Sequence, residues 1–243
     1  AAPAWRGGRR RVKEERTMSN PMPRRPEPEA MDIPAEAEAY DRADFAAVNQ
    51  AFVDRLLEVA GEAPRARAID LGTGPGDIPI RLLRARPGWR VTAVDVSEAM
   101  LSLARANVER ADLARSIELV LADAKGGGMP AVPFDVIFSN SIVHHITDVA
   151  AFWAQLKRLG RKGTVVFLRD LARPACQADA HDIVDRYARE EAVVLQEEFY
   201  RSLLSAYTVE EVQAQLAAAG LDGLEVAMCS DRHWDVWGRL GKG

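Results

Sequence analysis

The pattern of apolar and polar positions predicts short strands that alternate with longer helices from residue 66 onward. Five apolar runs have the length of buried strands, at residues 66–71, 90–95, 117–122, 134–139 and 164–169. Between them, apolar residues recur at steps of three and four, which predicts helices over 77–86, 98–110 and 147–159. Parallel strands need such helical crossovers, so the core of the chain is predicted to be a parallel α/β sheet.

The pattern differs on both sides of this core. Residues 35–60 have helical spacing, and they are expected to cover the sheet edge. Residues 174–206 predict two helices, and Thr208 with Glu211 forms a capping box that opens a helix ending at Gly220. Two alternating segments, 224–229 and 233–237, then predict a hairpin at the sheet edge.

The first 34 residues are rich in Arg, Pro and Glu and are expected to be disordered or loosely attached. Residues 1–17 carry a net charge of +4, so the remainder carries −8 of the total of −4. That acidic body argues against a broad nucleic-acid footprint, although the basic tail leaves a smaller one open. Met18 is a plausible native start, which makes the tail a candidate vector remnant or upstream read-through.

The remaining 35–243 are expected to form one domain, since α/β folds of this length are commonly single. No apolar run is long enough for a membrane span, and the N-terminus lacks the apolar stretch of a secretory signal. The two cysteines, Cys176 and Cys229, have neither a disulfide nor a metal-ligand spacing. We therefore expect a cytoplasmic protein, without a metal site.

The most informative stretch joins the first strand to its helix through three glycines at alternate positions, Gly72, Gly74 and Gly76. Such a turn lets a ligand approach the backbone, at the edge of the sheet where open α/β folds bind ligands. The dinucleotide motif would need glycine at 77, where Asp77 stands and would repel a pyrophosphate. A nicotinamide dehydrogenase is therefore disfavoured.

The turn instead reads D-x-G-x-G-x-G from Asp70 to Gly76, and Asp95 ends the next strand. This pairing resembles the S-adenosylmethionine site of class I methyltransferases, and the resemblance covers roughly residues 35–240. It implies a three-layer Rossmann-like sandwich with a mostly parallel seven-stranded sheet and an antiparallel C-terminal hairpin strand. It also implies S-adenosyl-L-methionine as cofactor and S-adenosyl-L-homocysteine as product. Within the domain, 35–60 would be lid helices, 64–170 the cofactor-binding half, 171–207 a helical substrate-side insertion, and 208–243 the final helix and hairpin.

The resemblance implies a role for three acids that would otherwise be ordinary capping residues after strands. Asp70 would reach the methionine amino group, Asp95 both ribose hydroxyls, and Asp123 the adenine amino group. The glycine-rich residues 125–130 depart from the family, so a more mobile adenine edge is expected. Phe45 is a further candidate to line the pocket. The residues expected at the cofactor are Tyr40, Asp70, Gly72, Thr73, Gly74, Gly76, Asp95, Val96, Asp123, Ala124 and Asn140.

Two absent motifs favour a small-molecule acceptor. Enzymes that methylate adenine amino groups in nucleic acid carry Asn/Asp-Pro-Pro-aromatic where this chain has Asn140-Ser141-Ile142-Val143. The 5-methylcytosine type needs a Pro-Cys dipeptide, which does not occur here. The reaction implied is in-line displacement of the methyl group onto an O, N, C or S atom. The alternatives are a protein or RNA methyltransferase recruited through the basic tail, and a non-catalytic cofactor-binding module.

His144 and His145 follow Asn140 closely and are the candidate catalytic residues, because a histidine can remove a proton near neutral pH. The alternative is that either ring caps the next helix or packs beneath the site. Asp170, Tyr200 and Tyr207 are possible substrate contacts. The acceptor and the oligomeric state stay open.

Overall fold

A computed structural model describes residues 22–27 and 45–241 of the chain. Its sheet has seven strands in the order β3-β2-β1-β4-β5-β7-β6. β1 to β5 pair in parallel, whereas β7 runs antiparallel to both β5 and β6. The strands are β1 Arg67–Leu71, β2 Arg90–Asp95, β3 Ile117–Leu121, β4 Val136–Asn140, β5 Val165–Leu171, β6 Leu224–Met228 and β7 His233–Arg239.

Helices cover both faces of this sheet. They are α1 Ala46–Ala60, α2 Asp77–Ala85, α3 Glu98–Arg110, α4 Val149–Leu159, α5 Gln177–Tyr187, α6 Val193–Ser205 and α7 Val209–Ala218, with a 3₁₀ turn at Val143–His145. One hydrophobic cluster joins α1, α2 and the sheet, with Phe52, Leu56 and Phe138 at its centre. A second joins α4, α7 and the other face, through Trp153 and Leu216. The predicted three-layer fold with an antiparallel C-terminal hairpin is confirmed.

Local capping explains why several helix boundaries match the prediction. The Ser97 hydroxyl accepts the N–H of Met100 at 3.2 Å, and α3 spans the predicted residues 98–110. Thr208 and Glu211 form both bonds of the predicted capping box. α4 begins at Val149, two residues after the predicted start at about 147, because the Asp148 carboxylate caps it by accepting the Ala151 N–H at 3.2 Å.

Pairing with β7 lengthens β5 by two residues beyond its predicted end, to Leu171. The ladder runs from Val165 opposite Arg239 to Leu171 opposite His233. Within it, Arg169 donates two hydrogen bonds to the Asp235 carboxylate, at 2.6 and 2.8 Å. The strand end is thus fixed by a partner 66 residues away in the sequence, which local patterning does not register.

Residues 22–27 pack against the body, whereas the sequence led us to expect disorder up to residue 34. The Met22 side chain is buried among α5, α6 and Leu171. The Arg25 N–H donates to the Leu204 carbonyl at 3.0 Å. The rest of the predicted tail, and residues 35–44 of the predicted lid, lie outside the described residues.

Among the helices that the structure describes, none is long and apolar enough to cross a membrane. Cys176 and Cys229 are both exposed free thiols.

Candidate functional site

The glycine turn lies over the carboxyl ends of β1 and β2. The N–H groups of Gly72 and Thr73 both donate to the Val94 carbonyl at 2.8 Å, which folds the turn across the end of β2. Gly72 has a φ of 75°, and a Cβ there would lie 2.2 Å from Ile142 Cγ2. Only glycine satisfies both conditions, so the backbone can approach the loop after β4.

Two pockets lie beside the turn and share Gly72, Gly74 and Asn140 as lining residues. The larger measures about 410 Å³ and is bounded by α1, α2 and the turn, with Phe45, Thr73 and Asp70 in its wall. The smaller measures about 270 Å³ and extends along the ends of β2 and β3. Together they can hold a ligand that passes over the glycine turn with one end in each.

The smaller pocket contains the Asp95 carboxylate in a fixed position. One oxygen accepts the Gly74 N–H at 2.8 Å, and the other accepts the Ser97 N–H at 2.9 Å. Val96, Asp123 and Ala124 line the same pocket. Asp123 is held by Lys125, whose backbone N–H and ammonium lie 2.8 and 3.1 Å from its two oxygens.

Asp70 lines the larger pocket and is almost completely buried. Burial raises the pKa of its carboxyl to about 7, and the nearby Asp95 charge adds to the increase, while the Thr73 hydroxyl opposes it. A cationic group bound beside Asp70 would favour the ionised carboxylate. The site is therefore suited to an ammonium at this position.

The two neighbouring histidines have different environments. His145 lines the smaller pocket and is 27% exposed. His144 lines neither pocket, is 4% exposed, and its Nδ1 lies 2.5 Å from the Asp170 carboxylate. The rings are 4.1 Å apart, so His144 packs behind His145.

Several of the other predicted residues lie away from the pockets. Asp170 has no exposed surface and accepts the N–H groups of Val143 and Leu171 as well as bonding to His144. The Tyr207 hydroxyl donates to the Ile146 carbonyl at 2.8 Å, and Tyr200 stacks on His181. Gly76 precedes α2 in a left-handed conformation without lining a pocket. Tyr40 lies outside the described residues.

Two residues that lie beside the histidines could not be predicted from the sequence pattern. Arg24 donates to the carbonyls of Ser205, His144 and Ile146, at 2.6, 2.7 and 3.3 Å. Glu27 places a carboxylate oxygen 3.3 Å from His145 Nδ1. Both come from a proline-rich segment with no periodicity, so only their packing reveals them.

Ser141 and three arginines of the larger pocket were likewise not predicted as site residues from the sequence. Ser141 has a φ of 59°, rare for a residue with a side chain, and lines the smaller pocket directly after Asn140. Arg81, Arg84 and Arg110 are among the residues lining the larger pocket. The helical spacing of these arginines is typical of an ordinary solvated face, so the pattern does not distinguish them.

Residues 68–163 match the family described as Methyltransferase domain. The release factor glutamine methyltransferase of Gloeobacter violaceus is 36% identical over 112 residues, which cover 45% of this chain and 38% of that protein. The malonyl-[acyl-carrier protein] O-methyltransferase of Serratia marcescens is 32% identical over 151 residues, 61% of this chain and 55% of that one. The chain thus spans about a third to just over half of these relatives.

The fold has counterparts among solved structures. A putative S-adenosyl-L-methionine-dependent methyltransferase of Methanococcus maripaludis superposes with a TM-score of 0.69 at 20% identity. The match covers 89% of this chain and 98% of that one. At this identity the likeness concerns the fold, and it extends well beyond residues 68–163.

Proposed function

We propose that this chain, whose residues 68–163 match the family described as Methyltransferase domain, is a class I methyltransferase that transfers a methyl group from S-adenosylmethionine to a small-molecule acceptor. We include the domain division in this proposal, with 64–170 as the cofactor-binding half and 171–207 on the substrate side. Residues 35–60 would form the lid and 208–243 the closing helix and hairpin. Phe45 and Asn49, which line the larger pocket from the start of α1, support the lid.

The position of the Asp95 carboxylate carries this proposal. Its oxygens accept the backbone N–H groups of Gly74 and Ser97, which hold the carboxylate in place in the wall of the smaller pocket. Two adjacent ribose hydroxyls match the two oxygens of one carboxylate. Asp123, in the same pocket, is suited to accept the adenine amino group. The residues present therefore fit the nucleoside half of the cofactor.

Asp70 and Asn140 would hold the methionine half, because both line the larger pocket across the glycine turn. When bound, S-adenosylmethionine supplies an activated methyl group, which the acceptor takes by direct in-line displacement. The residues of the chain then mainly have to align the acceptor and exclude water. Alignment by itself can contribute about 7–11 kcal/mol.

His145 is our candidate general base for acceptors that must lose a proton, since it lines a pocket and His144 does not. A positioned base contributes about a hundredfold or more to the rate. An ionised carboxylate acceptor would need no base. Carboxylic acids are the first class to test, because Arg84 and Arg110 line the larger pocket and guanidinium groups pair well with carboxylates, whereas Arg81 is already paired with Asp77 at 2.6 Å.

The direct test is calorimetric titration of the purified protein with S-adenosylmethionine and S-adenosylhomocysteine. We expect micromolar binding that Asp95→Ala weakens tenfold or more, about 1.4 kcal/mol. Asp222, which is exposed on a loop before β6, provides the matched control, and Asp222→Ala should bind like the unsubstituted chain.

A second variant is needed to distinguish lost binding from a folding defect, because Asp95 also accepts two backbone N–H groups. Asp123→Ala removes a pocket carboxylate that bonds to Lys125 in its own loop, and it should weaken binding as well. Thermal unfolding of each variant checks that it is folded. If the folded unsubstituted protein binds neither ligand, the proposal fails.

A protein acceptor is the second candidate, and the relative named as a release factor glutamine methyltransferase favours it. Methyl transfer from labelled S-adenosylmethionine to a panel of small acids, and separately to cell protein, distinguishes the two. The assay should be repeated after removal of residues 1–21, which leaves the packed segment intact. Labelling of acids that survives this truncation supports the small-molecule proposal, whereas protein labelling that depends on the tail supports the alternative.

A further inference from the structure

Three potential metal ligands from distant parts of the chain meet beside the smaller pocket. Glu27, His144 and His145 each offer one ligand atom, and these atoms all lie within 4.8 Å of one another. The nearer Glu27 oxygen, Oε1, is 3.3 Å from His145 Nδ1 and 3.6 Å from His144 Nε2. Neither histidine is within 110 positions of Glu27 in the sequence, so only tertiary packing brings the three together.

The Glu27 oxygen at the centre of this group has no hydrogen-bond partner in the part of the chain that the structure describes. Its side chain is 10% exposed, and burial raises the pKa of the carboxyl. His145 Nδ1 and His144 Nε2 approach this oxygen to 3.3 and 3.6 Å without forming a hydrogen bond to it. A buried carboxylate oxygen without a donor is costly, and a cation between it and the imidazoles would remove that cost.

A hydrogen bond at Nδ1 orients the His144 ring, as is common for histidines that bind metals. Its Nδ1 bonds to Asp170, which fixes the ring and directs Nε2 towards Glu27. Histidines that bind metals commonly have a carboxylate on the other ring nitrogen, which sets the tautomer and increases ligand basicity. The Asp170 carboxylate is itself held by the N–H groups of Val143 and Leu171.

We propose that Glu27, His144 and His145 bind one divalent transition-metal ion of the zinc type. Zinc binds imidazole nitrogen and carboxylate oxygen at about 2.0–2.1 Å, so two ligand atoms of a tetrahedral site are about 3.3–3.4 Å apart. The two distances from Glu27, 3.3 and 3.6 Å, are close to that separation. Two imidazoles and one carboxylate leave the fourth position open to water or to a ligand oxygen.

Charged side chains around the cluster affect the binding of a cation in both directions. The Glu27 and Asp170 carboxylates favour a cation, whereas the Arg24 and Arg201 guanidinium groups oppose it. Arg24 already donates to three backbone carbonyls, which offsets part of its charge. Because Glu27 lies in the packed segment 22–27, the ion would also tie that segment to the 3₁₀ turn after β4.

The experiment measures binding of Zn²⁺ and of Co²⁺ alone, without any organic ligand. A background of Cys176→Ser and Cys229→Ser removes the two exposed thiols that would otherwise compete. We expect one ion per chain, with an absorption spectrum for Co²⁺ typical of four nitrogen and oxygen ligands. Glu27→Gln and His145→Ala should each weaken binding at least tenfold and abolish the rise in Tm caused by Zn²⁺.

The matched controls are Glu190→Gln and His181→Ala, which change the same residue types at exposed positions of the chain. Both should bind the ion like the background protein. X-ray absorption at the zinc edge of the unsubstituted chain should show two imidazole ligands, and it tests the site even if a variant fails to fold. Absent binding, binding unchanged by Glu27→Gln and His145→Ala, or a spectrum without two imidazoles overturns the proposal. This test does not depend on the proposed methyl transfer. With Nδ1 bound to the ion and the proton on Nε2, His145 would have no lone pair left to act as general base, so the two roles of His145 exclude each other.

Discussion

Asp170 and His144 form a buried ion pair beneath the pockets, with 2.5 Å between the carboxylate and Nδ1. Burial opposes a charge on either group, yet the Asp170 carboxylate raises the pKa of His144. Burial likewise opposes the Asp170 charge, but His144 and two backbone N–H groups lower the pKa of that carboxyl. Because Asp170 accepts hydrogen bonds from both Val143 and His144, it holds in place the 3₁₀ turn that carries His145.

Replacing Asp170 by Asn should destabilise the fold, because the amide cannot accept all the hydrogen bonds that the carboxylate now accepts. Loss of one partner of a buried ion pair typically costs about 3–5 kcal/mol. Urea unfolding measures the change. Asp222→Asn, at an exposed position, should leave the free energy of unfolding unchanged. A cost below about 1 kcal/mol for Asp170→Asn, the range of an exposed pair, would contradict the buried pairing.

Arg24→Ala should detach the segment 22–27 from the body. The guanidinium donates to three carbonyls and lies 4.1 Å from the centre of the Tyr207 ring. Hydrogen bonds to a charged group contribute about 1.5–3 kcal/mol, so we expect a loss of at least about 2 kcal/mol on urea unfolding. The control is the neighbouring exposed Arg25, which is held through its backbone N–H, so that Arg25→Ala should be neutral. Equal effects of the two substitutions would disprove the specific role of Arg24.

Gly72→Ala should cost more than Gly163→Ala, although both glycines have a positive φ, of 75° and 87°. The left-handed conformation costs about 1–2 kcal/mol at either position. Only at Gly72 does the new Cβ meet another atom, Ile142 Cγ2 at 2.2 Å, since nothing lies within 4 Å of a Cβ at Gly163. Overpacking of this kind adds about 1–3 kcal/mol. The difference in stability between the two variants, measured by thermal unfolding, reports the contact with Ile142. Similar losses of stability in both variants would contradict this contact.

Asp70 should make the ligand-free protein less stable as the pH rises from 4 to 7. The pKa of its carboxyl is about 7 in the folded chain against 3.8 for the ordinary group, so between these values the folded state binds more protons. Stability therefore falls with rising pH across this window and is level above it. The free energy of unfolding of Asp70→Asn, relative to the parent protein, should increase over the same pH range by on the order of 4 kcal/mol.

Urea unfolding of both proteins at several pH values measures that difference, in which the titrating groups that do not interact with Asp70 cancel. Asp222→Asn, whose position is exposed, is again the control, and its difference from the parent protein should be the same at every pH. A gain from Asp70→Asn that does not change between pH 4 and 7 would mean that burial does not raise the pKa of this carboxyl.

The sequence determined those features that depend on neighbours along the chain. The six residues of β2 and the thirteen of α3 lie where the pattern predicted them, and the Ser97 hydroxyl caps the helix from the residue just before it. The capping box at Thr208 and Glu211 is equally local, and the glycine turn is recognisable because its three glycines adopt a positive φ that few other residues tolerate. Because strands and helices alternate along the chain, few sheet topologies were possible, and the predicted topology is observed.

Only the tertiary structure decided which of these polar residues face the pockets. His144 and His145 are equivalent in the sequence, but packing against Asp170 buries the first and leaves the second on the pocket wall. Arg24 and Glu27 lie beside the histidines through contacts with α6 and the turn after β4, across more than 110 positions of chain. Hydrophobic periodicity reports burial averaged over an element, whereas the meeting of single side chains depends on how the elements pack in three dimensions.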